Sequence, residues 1–446
     1  MPVDEKTWKD VHAAFDPTMR VEIDDQDLYV SRPGSIAQAI VDDLRLGLDP
    51  RGKWVVCGAM GSGKSTELVH LASKLASSHA VVGLDLPRSV ARVDRLTAPE
   101  ILYLIGLAGV RAAQELWSHP IRPESIKELH EAFTPLLAGS AHTIDPREIL
   151  QGVALFTAHA IGGSAAAAAV GGAARALSAV VPSRVKPRRS THLGGAARPL
   201  NDTDPDLDRL QAAVDAIFAE IRTHREPVVL IDGLDKMQQP AVIRELFTGT
   251  RILTLPDVPV VYTGPITLML STEWQQVGAA FKRERLSTIV VSTPKVPHVT
   301  VDPAMVDAGI KTLRDVIHRR LDRLNLASSN IFDSPALEHR IIETSGGLMR
   351  DLITLVQHSV RGCLRAGLGT IKPSIVDEAT IELRKEYEIG LNTRRVQELT
   401  HVATHGEPSG ADESAEMLLG GYVLPYANGR VWFAPHPILK GLRPGL

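Results

Sequence analysis

Nine residues, GAMGSGKST at 58–66, constrain this chain more than any other stretch. They follow the apolar run KWVVC and precede ELVHLASKLASS, whose apolar positions recur at helical spacing, so strand, glycine-rich turn and helix are expected in succession. The spacing Gly58-x-x-x-x-Gly63-Lys64-Ser65 fits a phosphate-binding loop in full. Glycines at 58, 61 and 63 let the backbone curl until successive N–H groups face one anion, and the helix starting near Lys64 adds the positive end of its dipole. The loop residues Gly58, Ala59, Met60, Gly61, Ser62, Gly63, Lys64, Ser65 and Thr66 are therefore expected to cradle ATP. Lys64 would reach the β- and γ-phosphates and Ser65 would ligate Mg²⁺. The bland alternative is a glycine-rich surface turn.

A phosphate loop calls for an acidic strand end elsewhere, and EPVVLIDGLDK supplies it. Val228 to Ile231 read as a buried strand with Asp232 at its C-terminal tip, where ligands of open α/β sheets bind. Asp232 is thus the expected second holder of the Mg²⁺ shell. The residue after it is Gly233, so no carboxylate stands beside it to orient water; Asp235 is the next acid, either a catalytic base or a solvated turn residue. Slow hydrolysis, a timing switch rather than a fast motor, is the expectation.

Paired with GSGKSTEL, the IDGLDK segment resembles the STAND branch of the AAA-like P-loop ATPases, signalling and conflict-response proteins with a lid and a winged-helix domain. The resemblance implies a third strand in VPVVYTGP with Thr263 in the sensor-one position, touching the γ-phosphate or the attacking water. It implies a lid in ETSGGLMRDLITLVQ, with Arg350 as a sensor-two-like arginine, and a closing winged-helix hairpin in LGGYVLPYANGRVWFAPHPIL. STAND lids often carry proline where this chain has GGLMR, an arrangement closer to the lids of origin-recognition ATPases. Tyr29 and Val30, in DLYVSRPGS, are candidates to line the adenine pocket. Arg319 and Arg320, in VIHRRLDRL, read either as arginine fingers for a neighbour's phosphate or as a solvated helix face with Asp315 and Asp322.

The expected fold class is α/β: a P-loop NTPase parallel sheet with a helical lid and a C-terminal winged-helix-like domain. The expected division is a linker segment at 1–50, the NTPase core at 51–302 with an insert at about 115–215, the lid at 303–370 and the winged-helix-like domain at 371–446. Strands are expected at 53–57, 80–86, 228–232, 259–263 and one of 287–292 or 297–301, and Asn428-Gly429 reads as a two-residue hairpin turn. The chain between Lys64 and Asp232 is far longer than two βα units of about 30 residues need. Within that insert, 152–174 carry no full charge and are long enough to span a bilayer, but alanine and glycine dominate them. A small-residue segment packed on the core, or a linker, is the expectation; a membrane or oligomer contact is the alternative.

Composition narrows the partners. A formal net charge of −3 gives no global attraction to nucleic acid or anionic lipid. Two cysteines without paired spacing exclude a zinc knuckle or disulfide framework, and the charged MPVDEKTWKD start lacks a secretory h-region, so cytoplasm is expected. In the winged-helix-like module the recognition-helix candidate ADESAEMLLGG presents Asp412, Glu413 and Glu416, with only Arg430, Lys440 and Arg443 nearby to help. A protein partner or self-assembly is therefore expected ahead of DNA. The functional expectation is an ATP-controlled conformational switch in signalling or defence. The alternatives are a DNA-associated ATPase of origin-recognition or transposition-helper type and a membrane-acting effector governed by the insert.

Overall fold

The computed structural model describes residues 3–442 apart from 20, 22, 138–145, 157–192, 194–196, 198–202, 273, 294–295, 297 and 411. In chain order the main elements are α1 (Glu5–Ala14), α2 (Ala37–Arg45), β1 (Lys53–Gly58), α3 (Lys64–Leu75), β2 (Ala80–Asp85), α4 (Ala98–Leu116), α5 (Pro123–Phe133) and β3 (Ala154–Leu155). Then come α6 (Pro205–Arg222), β4 (Pro227–Asp232), β5 (Val260–Pro265), β6 (Lys282–Leu286), α7 (Pro303–Asp322), α8 (Pro335–Thr344) and α9 (Met349–Ala366). The chain closes with α10 (Pro373–Glu388), α11 (Thr393–His405), α12 (Asp412–Leu419), β7 (Val423–Ala427) and β8 (Val431–Pro435).

The chain is an α/β protein built on a six-stranded sheet in the order β3-β2-β4-β5-β1-β6. All neighbours run parallel except the edge pair β2 and β3. Parallel strands need both faces covered, which is why β1, β2, β4 and β5 read as unbroken apolar runs and are buried throughout. Alternate residues serve opposite faces. Trp54, Val56, Val81, Val228, Leu230 and Val261 pack under α2 and α3. Val55, Val82, Val229, Ile231 and Tyr262 join the larger cluster with α4 and α6. In that layer Gly106 and Gly109 of α4 admit Val214 and Ile217 of α6 at contact distance.

The last strand of the sheet lies at 282–286, at neither of the two expected sites. KRERL hides from a hydrophobicity search because β6 is an edge strand, pairing only with β1, with Arg283 and Arg285 exposed. Lys282 holds its Nζ 4.8 Å from the Trp54 ring centre and donates to Asp43 at 2.9 Å. The apolar run Ile289–Val291 is buried off the sheet instead, against α7 and the turn before α9: a Cβ added at Gly347 would collide with the Ile289 carbonyl oxygen, and one at Gly309 with that of Val290.

At the other edge, Ala154 and Leu155 pair antiparallel with Asp85 and Leu84, so the start of the 152–174 stretch packs on the sheet. Residues 157–174 lie outside the described residues, as do the basic cluster at 184–189 and Arg443. Among the described residues no helix is long and apolar enough to cross a membrane.

Residues 3–50 are packed against the rest. Trp8 Nε1 of α1 donates to Leu368 O at 2.8 Å, and α2 covers α3. In the C-terminal region, α10–α12 precede the antiparallel pair β7 and β8, joined by three residues, Asn428 to Arg430, rather than the expected two. Gly429 takes φ +88°, and the Asn428 N–H donates to Arg430 O at 3.0 Å, closing the turn.

Candidate functional site

The C-terminal tips of β1, β2 and β4 open into a cavity of about 730 Å³, roofed by α7, α9 and the N-terminal segment around residues 17–32. Its floor is the loop between β1 and α3. Gly61 (φ +82°) and Gly63 (φ +96°) take left-handed conformations that L side chains rarely adopt, and Gly63 caps α3 in this state. Met60 through Glu67 line the cavity, whereas Gly58 and Ala59 sit beneath it and offer their carbonyls to Lys64 Nζ at 2.8 and 2.9 Å.

Lys64 is buried and also meets Asp235 Oδ2 at 2.9 Å. Ser65 Oγ donates to Asp232 Oδ2 at 2.8 Å. The Ser65–Asp232 pair expected from the sequence thus meets across 167 residues of chain, and the reason is topological: parallel strands bring β1 and β4 tips to one edge with only β5 between them; the Lys64–Asp235 pair is supplied by the structure. A hydroxyl beside a carboxylate is a hard oxygen pair suited to Mg²⁺, which takes its remaining ligands from phosphate oxygens and water. Among the described residues no group of three or more His, Cys, Asp or Glu forms a self-sufficient metal cage. The buried Ser62 Oγ and Asp235 Oδ1 have no hydrogen-bond partner, which is the state expected of atoms in a polar ligand's site.

Thr263 does not reach the cavity. It is fully buried, accepts from the Gly233 N–H at 2.8 Å and donates to Ile231 O at 3.4 Å. Its hydroxyl fixes the turn after β4, where the sensor-one expectation had it touching the γ-phosphate or the attacking water. Arg350 does stand at the cavity: its backbone N–H lies 3.4 Å from Gly61 O, so the first turn of α9 rests on the phosphate loop. The neighbouring Asp351 accepts from Tyr387 Oη at 2.7 Å and faces His436 Nε2 at 3.1 Å. His436 Nδ1 accepts from the Ile438 N–H, which leaves the ring hydrogen on Nε2, near that carboxylate but without hydrogen-bond geometry to it.

Tyr29 and Val30 both line the cavity. Tyr29 stacks on His70 of α3, with ring centres 3.6 Å apart, and its hydroxyl contacts Glu67 at 3.3 Å. Burial, with Glu67 adding to it, pushes the Tyr29 phenol up to about 12, and burial pulls His70 down to about 4. Val21, Leu28, Val316, Met349 and Ile353 complete an apolar end fit for a nucleotide base.

One arginine, Arg32, escaped sequence reasoning, and another, Arg320, was expected in a different role. Arg32 is buried and bridges the phosphate loop to the end of β6, donating to Ser62 O at 2.5 Å and to Ser287 O. A single arginine before Pro33-Gly34 carries no periodic signal. Arg320 is neither a solvated helix residue nor placed to face a neighbour: it is 4% exposed and lines this chain's own cavity. Burial lowers its pKa to about 10, and Nε has no hydrogen-bond partner. Arg319, beside it, donates to Asp27 O and Tyr29 O, fastening α7 to the N-terminal segment.

No protein-family model matches the chain, and no curated protein does. Among solved structures, Cdc6p of Pyrobaculum aerophilum is similar at 12% identity and TM-score 0.39, over 98% of this chain and 96% of that one. The ORC2 protein of Aeropyrum pernix, solved as ADPNP–ADP complexes, is similar at 12% identity and TM-score 0.42, over 95% and 93%. The ORC1 protein of the same organism, solved with DNA, is similar at 11% identity and TM-score 0.39, over 93% and 94%.

Proposed function

We propose that the chain is an ATP-binding, slowly hydrolysing P-loop ATPase that acts as a nucleotide-controlled conformational or assembly switch. The observation that carries this reading is the meeting of Lys64, Ser65, Asp232 and Asp235 at the floor of one cavity whose other end is apolar. The loop amides hold phosphate, Lys64 turns from Asp235 to the β- and γ-phosphates, and Ser65 with Asp232 hold the metal. Mg²⁺ bound there supplies charge neutralisation on the phosphate oxygens. Gly233 beside Asp232 keeps turnover low.

The switch runs through α9. Arg350 meets the phosphate loop while the next residue, Asp351, accepts a hydrogen bond from Tyr387 and lies beside His436 of the C-terminal region. A ligand contact that moves the start of α9 moves both, and a differential affinity of a few kcal/mol changes the dominant state. The corresponding division is an N-terminal segment to residue 50, the ATPase core to 302, the lid to 370 and a winged-helix-like module beyond. The signalling or defence role of STAND proteins is the context this device fits.

A second reading, a DNA-associated ATPase of origin-recognition type, gains from one observation. Glu413 and Glu416 of α12 are partly neutralised by Arg394 at 3.6 Å and Arg395 at 2.6 Å, so that helix is less repulsive to a duplex than its sequence implies. A salt-sensitive shift of labelled duplex at low micromolar protein favours this reading.

Titration calorimetry with ATP·Mg²⁺ tests the first. Lys64→Ala should weaken binding by about 100-fold or more, the loss of a charge-assisted phosphate contact in a buried site. Asp232→Asn should keep binding and lose Mg²⁺-dependent hydrolysis. Unchanged ATPase activity in both variants rules the proposal out.

A further inference from the structure

Cleaving a γ-phosphate needs a group that holds the attacking water in line, and β4 offers no carboxylate beside Asp232. Asp235 is drawn to Lys64 at 2.9 Å, the cation that must face the phosphates. The neighbouring strand holds another acid. β2 and β4 run parallel with Asp85 opposite Asp232 in register, about 4.8 Å away across the ladder. Register partners project to the same face, and alternation settles which. Val81 packs with Val228 and Leu230 beneath α3, while Val82 and Leu84 pack with Val229 and Ile231 on the far side. Counting by twos from Val81 and Val228 brings Asp85 and Asp232 to the α3 face, where Ser65 already meets Asp232.

Both carboxylates line the cavity, and both are almost fully buried. Phe156 lies over Gly83, two residues before Asp85: its backbone N–H donates to Gly83 O at 3.2 Å, so the flank is closed by protein. Asp85 is held in place. Its Oδ1 accepts from the Arg88 N–H at 3.2 Å and its Oδ2 lies 3.5 Å from Arg88 Nε. An ionised carboxylate accepts at about four sites, so capping the Arg88 N–H does not by itself exclude a water.

We infer that Asp85 is the water-orienting carboxylate of this site, an assignment that rests on the ATPase reading above. It accepts a hydrogen bond from a water placed opposite the leaving diphosphate. The water oxygen bonds to the γ-phosphorus as the bond to the β–γ bridging oxygen breaks, and that electron pair leaves with the diphosphate. One water proton passes to a γ-phosphate oxygen, so the products are the nucleoside diphosphate and dihydrogen phosphate. The competing view is structural: Asp85 merely caps the turn Leu86–Ser89.

Asp85→Asn separates the two, because asparagine caps as well as aspartate but donates where a water-orienting acid must accept. In the full chain, three quantities decide: affinity for a fluorescent ATP analogue with Mg²⁺, trapping of ADP with beryllium fluoride, and trapping of ADP with aluminium fluoride. The beryllium complex mimics the bound triphosphate; the aluminium complex mimics the transferring phosphoryl group and needs the positioned water. The variant should keep affinity and the beryllium complex within about twofold, and lose aluminium trapping and turnover by about 100-fold. Wild-type aluminium trapping and turnover in Asp85→Asn overturn the assignment. So does loss of both fluoride complexes together with affinity, or the same selective loss in Asp235→Asn while Asp85→Asn is unaffected. A wild-type chain that binds no nucleotide in the first measurement ends the ATPase reading and this assignment together.

Discussion

The two walls of the cavity handle their charges in different ways. On the phosphate-loop wall most charges have an internal partner: Lys64 has Asp235 and two carbonyls, Asp232 has Ser65, Glu67 takes the hydroxyls of Tyr29 and Ser35, and Arg32 donates to two carbonyls although its Nε has no partner among the described residues. On the lid wall Arg320 is buried, its Nε has no partner, and Asp25 offsets only part of its desolvation. The glycines differ likewise. At Gly61 an added Cβ would touch the Arg350 Cβ at 3.0 Å, tight but without overlap, whereas at Gly347 it would collide with the Ile289 carbonyl oxygen. One wall holds most of its charges in internal pairs and leaves Ser62 Oγ and Asp235 Oδ1 unpartnered among the described residues. The other is tightly packed and carries a charge that folding alone does not satisfy.

The sharpest break of this contrast is a methyl group placed on each wall. Gly347 has φ +87°, and its Cβ would overlap the Ile289 carbonyl oxygen, so Gly347→Ala combines left-handed strain with a backbone collision. It should cost more than about 3 kcal/mol in urea unfolding. Gly61→Ala, at φ +82°, brings its Cβ to 3.0 Å from the Arg350 Cβ, a tight contact that a shift of α9 by a few tenths of an ångström relieves, so it should cost less, about 1–2 kcal/mol, while crowding the anion cradle. Equal destabilisation by the two would erase the distinction between a packed turn and a yielding one.

A subtler break removes the unpaired cation. Replacing a buried charge that lacks a good partner with an apolar residue of similar length is often neutral or stabilising by about 1–4 kcal/mol. Arg320→Met should therefore raise the stability of the ligand-free protein by about 1–2 kcal/mol, toward the lower end of that range because Asp25 contributes. The same variant should shrink the stabilisation that ATP·Mg²⁺ confers, since the ligand loses a donor. Urea unfolding with and without nucleotide measures both. A less stable ligand-free variant would mean that Arg320 is well satisfied within the fold.

How much of this was legible beforehand follows from the same physics. β1, β2, β4 and β5 were readable because burial on both faces makes each an apolar run, and Lys64, Ser65 and Asp232 because strand-end chemistry has fixed spacing. β6 was not: an edge strand needs no apolar face, and KRERL gains its burial from Trp54 and Asp43, residues distant in sequence. Thr263 lies at the right strand end but turns into the β4 backbone, a choice made by hydrogen-bond competition that spacing does not encode. Arg320 reads as surface because charge runs in helices mostly are, and only the N-terminal segment folding over α7 buries it. Asp85 was silent because nothing in AVVGLDLPRS says which strand lies beside β2; register supplies that.

The smallest expected effect lies on the phosphate-loop wall and tests its dependence on pH. His70 Nδ1 is buried without a partner, the ring is stacked on Tyr29, and burial lowers its pKa from an ordinary 6.5 to about 4. Between those values the unfolded chain binds a proton that the folded chain refuses. Stability from this group is therefore complete above about pH 6.5 and falls as the pH drops toward 4. The side chain is only half-buried, so solvent screening limits the loss to the order of 1 kcal/mol. His70→Phe keeps the stack on Tyr29 and carries no proton, so the difference in unfolding free energy between pH 7 and pH 5 should be smaller in the variant by that amount. Identical pH profiles would place the titration elsewhere on the wall. A larger loss in the variant would show that His70 gains a proton on folding, reversing the sign argued from its burial.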